Sequence, residues 1–150
     1  MATDIRAPKP RSVGRVVAAR RLQLPGAPGR TVHVRLGVPR RLGGGWDWGC
    51  PVEISGLGGL RLRYIFGVDA FQALQLGLSY IAIRLATAHP RPFWFKPAEG
   101  SGFARSIPTS LPLATQRGLE RMIDEAGRRW AKRQNIVGTR RAGRRSSRSQ

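Results

Sequence analysis

Residues 60–85 read LRLRYIFGVDAFQALQLGLSYIAIRL, and the fold turns on the middle of that stretch. The apolar spacing begins at a period of two, with Leu60, Leu62, Tyr64 and Phe66 on one side and Arg61, Arg63 and Ile65 on the other. That is the pattern of a half-buried strand. After Gly67 the period lengthens to that of a helix, and Phe71, Leu74, Leu78, Ile81 and Leu85 form one stripe. Asp69 can cap this helix, and Gln72 three residues on completes a box-like start. Leu76, Tyr80 and Ile83 make further sides apolar and leave Gln72, Gln75 and Ser79 as a narrow polar strip. A helix so apolar is expected to be buried on more than one face, lying on a sheet and covered by another element. HPRP at 89–92 ends it.

Upstream, WDWGCPVEISG at 46–56 alternates again: Trp48, Cys50, Val52 and Ile54 share a face, while Glu53 and Ser55 point away. Pro51 lacks a backbone donor, which predicts a free edge or a bulge. GLGG at 56–59 is a hairpin turn. TVHVRLG at 31–37 puts Val32, Val34 and Leu36 on one face and Thr31, His33 and Arg35 on the other, and GVPRRLGGG is a loop. PGAPG at 25–29 is a turn. VGRVVAARRLQL at 13–24 aligns Val16, Ala18, Leu22 and Leu24, with Arg20 as the exception, and a short helix is the alternative there.

Downstream, PFWF at 92–95 predicts a short extra strand, and KPAEGSG and SIPTSLP are loops. A second helix is expected from about Thr115 to Arg133. Leu119, Met122, Ile123, Ala126 and Trp130 form its stripe, which makes it the natural cover for the first helix. Arg121–Glu125, Asp124–Arg128 and Glu125–Arg129 are i,i+4 pairs on its wet face. The expected fold is α+β: a four-stranded antiparallel meander packed on one buried helix, with a short extra strand and a C-terminal covering helix. Residues 1–12 read as a flexible basic arm, 13–134 as one domain, and 135–150 as a disordered Arg/Ser-rich tail.

The 150 residues suit one domain, and 41% hydrophobic content is enough for a core. No apolar run approaches the roughly 20 residues that cross a bilayer. MATDIRAPKPRS has no apolar segment of a secretory signal, and Asp4 and two prolines interrupt any targeting helix, so a cytoplasmic, non-membrane setting is expected. Cys50 is the single cysteine, which excludes an internal disulfide framework and a cysteine cluster for zinc or iron–sulfur. The net charge of +19 is unevenly spread. Residues 1–45 hold ten Lys/Arg against one acid, 46–100 hold five against four, and 101–150 hold twelve against three. The bases are mostly arginine, suited to bidentate contacts with phosphate or carboxylate, although a GC-rich genome produces the same excess without function.

WDWGCPVEISGLG, YIFGVDAFQALQLGL, GFARSIPT and LERMID together resemble an uncharacterised family of short bacterial domains, a domain-of-unknown-function group. The resemblance spans roughly Val16 to Trp130, and the strand-to-helix step from Phe66 to Leu74 is its most specific part. Family members usually show proline where Ala104 stands. The resemblance implies a fold and a bacterial origin, and it brings no activity, cofactor or site residues with it.

Candidate chemistry is sparse. Cys50 as a nucleophile with His33 or His89 competes with its place on the apolar strand face, which favours a buried, unreactive thiol. Asp47, Cys50, His33 and His89 lack metal-ligand spacing. The glycines at 43–45 and 56–59 serve turns, since neither group opens a helix or ends in a P-loop signature. No catalytic, cofactor or metal residues are assigned, and the chain is expected not to be an enzyme. Arg35, Arg61 and Arg63, with Arg21, are expected on the outer sheet face with Glu53 opposing. Tyr64 and Phe66 are expected on the opposite side, so aromatic platforms for single strands are absent from that face. Arg140, Arg141, Arg144, Arg145 and Arg148 in the tail suit non-specific contact with RNA or DNA. The leading expectation is a non-enzymatic binding or interaction domain with an unidentified partner, such as a protein. The alternative is a nucleic-acid-associated accessory protein acting through basic arms and an Arg-rich sheet face.

Overall fold

The computed structural model describes residues 8–43, 47–104, 106–108 and 110–146, with side chains described through residue 134. Most of the expected basic arm and Arg148 lie outside the described residues, as do the side chains of Arg140, Arg141, Arg144 and Arg145. The chain divides into two compact units, residues 1–106 and 107–150.

The first unit is an antiparallel sheet carrying a helix, so the fold is α+β. Its strands are β1 (Val16–Gln23), β2 (Thr31–Gly37), β3 (Arg40–Arg41), β4 (Trp48–Ser55) and β5 (Arg61–Gly67). β1 is a strand, which settles the helix alternative. β2 and β3 pair with the same edge of β4, through Leu36↔Val52 and Arg40↔Gly49, and β5 pairs with the other edge. The meander is therefore the expected one, with its second strand interrupted rather than followed by a plain loop. The interruption answers the expectation for Pro51. β4 is a central strand, but Cys50 and Pro51 fall in the gap between the β2 and β3 pairings. A missing donor is tolerated where the ladder is already broken.

Helix α1 (Ala70–Ala86) starts as the sequence indicates. Asp69 accepts from the Gln72 N–H at 2.7 Å, and Gln72 Oε1 accepts from the Val68 N–H at 2.9 Å. Its buried face is different from the expected stripe: Ala73, Gly77, Ile81 and Leu85 are buried, while Phe71 and Leu78 are exposed. Small residues let the helix approach the sheet. A Cβ on Gly77 would lie 3.3 Å from Leu36 Cδ1 and 3.4 Å from Cys50 Sγ and Val52 Cγ2. Leu22, Leu24, Val32, Val34, Leu36, Cys50, Val52 and Ile54 supply the sheet side of this core. Leu76 and Ile83 are exposed too, so α1 is not buried on several faces.

The expected strand at 92–95 reduces to one bridge, with Gln23 and Phe93 exchanging backbone bonds of 2.8 and 3.0 Å on the β1 edge. Pro92 has no donor to extend it, and the Trp94 N–H turns to the Gly100 carbonyl past a 3₁₀ turn at Pro97–Glu99. Arg20, the exception in the β1 alternation, holds this segment. Its guanidinium lies 3.9 Å from the Trp94 ring centroid and donates to the Ser101 and Gly102 carbonyls.

In the second unit, α2 runs Leu113–Ser146, past the expected end near Arg133 and through the segment expected to be a disordered tail. Arginine is a good helix former, and cations suit the negative end of a helix dipole. Glu125 and Arg129 form one of the expected i,i+4 pairs. Met122, Ile123 and Trp130 of its apolar stripe are exposed.

Candidate anion-binding site

The parity of the meander brings three connections to one end of the first unit: the β1–β2 turn, the β4–β5 turn and the C-terminus of α1. A cavity of about 420 Å³ opens there. Arg30 from the first connection, Arg61 from the start of β5, and Arg84 from the helix end line it, with His89 just beyond that end. Leu24, Leu57 and Pro90 contribute an apolar wall. No carboxylate lines it among the described residues.

The helix end does not take up the three arginines through any hydrogen bond among the described residues. Thr87 caps α1, its N–H and hydroxyl bonding the Ile83 carbonyl at 3.1 and 3.0 Å. The Ala88 N–H takes the Leu85 carbonyl, and His89 Nδ1 donates to the Thr87 carbonyl at 3.1 Å. Like charges gathered without a counter-charge favour an anion from solution, and guanidinium forks match its oxygens.

Strand register separates the expected sheet-face arginines. Directly opposed residues share a face, and β5 pairs Ile65 with Cys50, Arg63 with Val52 and Arg61 with Ile54. Arg61 and Arg63 therefore lie on the helix side, contrary to the expected outward placement. Arg63 sets its guanidinium 5.4 Å from the Tyr80 ring centroid, and Arg61 reaches the cavity. Arg35 stays on the helix-free face, where its Nε donates to buried Glu53 at 2.6 Å. Tyr64 and Phe66, opposite Pro51 and Gly49, lie on the helix-free face as well, correcting the expected side for these aromatics. Arg40 covers Tyr64 at 5.2 Å from its centroid. Of the nine arginines singled out in the sequence, Arg61 alone is placed in the cavity among the described side chains. Arg30, Arg84 and His89 were missed.

Cys50 is fully buried, donates weakly to the Gly37 carbonyl at 3.6 Å, and has its pKa pushed from 9.0 to about 11 by desolvation. His33 lies on the other sheet face, bonded to Thr31 at 2.9 Å. The thiol is expected to resist labelling at neutral pH in native protein and to react promptly in denaturant. Fast native labelling would contradict its burial. Because its folded pKa is raised, its contribution to stability is complete below about pH 9 and is lost as pH rises toward 11. Among the described residues, no three His, Cys, Asp or Glu side chains form a metal-holding group, and no helix is long and apolar enough to cross a membrane.

No curated protein and no solved structure matches the chain. A family profile described as Domain of unknown function (DUF6968) matches residues 18–105. The match takes in the sheet from within β1, all of α1 and every residue lining the cavity, and it leaves out α2 with its arginine-rich end. With more than half of its 150 residues matched, and the strand-to-helix step of residues 64–78 inside the match, the chain belongs to the DUF6968 family.

Proposed function

We propose that this domain is a non-enzymatic binding module of the bacterial cytoplasm that holds an anionic ligand in the arginine-lined cavity. The observation that carries the reading is the meeting of Arg30, Arg61, Arg84 and His89 on one cavity with no carboxylate among the described residues. The burial and raised pKa of Cys50, and its separation from His33, support a binding rather than a nucleophilic role. Binding is expected to raise the melting temperature, since a ligand at a hundredfold excess over its Kd stabilises by about 2.7 kcal/mol. Thermal melts with citrate, sulfate and phosphate on wild type and Arg84→Gln test this. Salt screening acts on both proteins alike, so the expected signature is an increment present only in wild type. Equal shifts in both would remove the cavity as the site.

A second reading, a nucleic-acid-associated accessory protein, is favoured by the twelve bases against three acids in residues 101–150. If Arg140, Arg141, Arg144, Arg145 and Arg148 each neutralise a duplex phosphate, truncation after Asn135 is expected to reduce the log–log salt slope by roughly 4 to 5. Filter binding at several salt concentrations measures this. An unchanged slope would remove the arginine-rich end as the contact.

A further inference from the structure

We propose that the cavity selects the terminal phosphate dianion of a small phosphorylated metabolite over the phosphodiester of a nucleic-acid backbone. This rests on the reading of the cavity as an anion site. The charge count is the first argument. Three arginines, one from the β1–β2 turn, one from the start of β5 and one from the end of α1, line one space with no carboxylate among the described residues. A phosphomonoester carries about −1.5 to −2 at neutral pH and presents three acceptor oxygens, whereas a diester carries one charge and two free oxygens. Three forks approaching from different connections are used more fully by the monoester.

Shape is the second argument. Cavities of roughly 300–1,000 Å³ with an apolar wall and a few polar groups hold small molecules, and this one measures about 420 Å³. That exceeds what a lone phosphate fills, and Leu24, Ala27, Leu57 and Pro90 offer the remainder an apolar surface. A continuous polymer backbone follows a stripe of charge along a surface, whereas these arginines converge on one concave site. Several exposed arginines are engaged elsewhere or lie apart: Arg35 on Glu53, Arg63 over Tyr80, Arg40 over Tyr64, and Arg21 on the helix-free face.

Titration calorimetry on the full chain compares methyl phosphate with dimethyl phosphate, which differ in one methyl group and one charge. Arg61→Gln and Arg84→Gln are the cavity variants. Arg21→Gln, also exposed, is the control for general charge. Methyl phosphate is expected to bind at least about tenfold more tightly than dimethyl phosphate, and to lose at least about tenfold in either cavity variant, with Arg21→Gln near wild type. Circular dichroism melts confirm that the variants fold. Equal affinity for the two esters, lost in Arg84→Gln, would overturn the dianion preference and leave the cavity as an anion site. Binding of neither ester in a manner that depends on Arg61 or Arg84 would overturn both.

Discussion

Ile81→Ala is expected to cost about 2–5 kcal/mol of folding stability, while Phe71→Ala, one helix face away, is expected to stay within about 0.5 kcal/mol. Both residues belong to the apolar stripe visible in the sequence, so composition does not separate them. Burial does: Ile81 is 1% exposed and Phe71 is 80% exposed. Truncating Ile81 empties a site packed between α1 and the β2–β4 core, where neighbours already meet the helix through Gly77. Truncating Phe71 removes a ring that already faces water. Leu78, also exposed, is expected to fall between them. Urea melts of the three variants give the ranking, and equal losses at Ile81 and Phe71 would mean that the helix is rotated from the orientation described.

Gly67→Ala is expected to reach or exceed the top of the roughly 1–3 kcal/mol range for overpacked sites. The added Cβ would lie 2.3 Å from the Ala73 nitrogen, 2.8 Å from its Cα and 2.9 Å from the Gln72 carbonyl carbon. These are backbone atoms of the first turn of α1, held by the Asp69–Gln72 cap, and no rotamer change relieves the contact. β5 and α1 would have to separate at the step that joins them. Denaturant melts check this, and wild-type stability in Gly67→Ala would contradict the close approach of strand end to helix start.

Much of this architecture is legible in the sequence, and the failures have physical causes. The Asp69 cap, the turns at 25–29 and 56–59, and the buried faces of β2 and β4 follow from local chemistry and alternation. The face of β5 does not. Its alternation reads equally with aromatics or with Ile65 inward, and register against Cys50 decides the matter. A register belongs to the pair of strands rather than to either sequence. The contact face of α1 is hidden for a related reason: Ala73 and Gly77 mark it by their small size, whereas the large apolar residues trace a stripe that includes the exposed Phe71 and Leu78. The Arg20 exception was visible, but its partners Trp94 and Phe103 are distant in sequence.

The cavity was within reach in part. In an up-and-down meander followed by a helix, the first and third turns and the helix C-terminus fall at one end, and Arg30, Arg61, Arg84 and His89 lie in or beside them. Arg61 stands out in the sequence as an outward-facing base, and register with Ile54 turns it to the helix side. Arg84 reads as an ordinary cation in the last helical turn, where the dipole favours it, and that bland role conceals its membership of a cluster.

The central claim is that an anion binds at this end of the sheet and helix, and amide chemical-shift mapping of the full chain with inorganic phosphate tests it most directly. The account expects saturable shifts concentrated at Arg30, Gly56–Gly58, Arg61 and Thr87–His89, and little change at Arg35 and Arg40 on the helix-free face. Shifts that spread over all arginine-bearing surfaces without saturating, or that centre on β2 and β3, would contradict it.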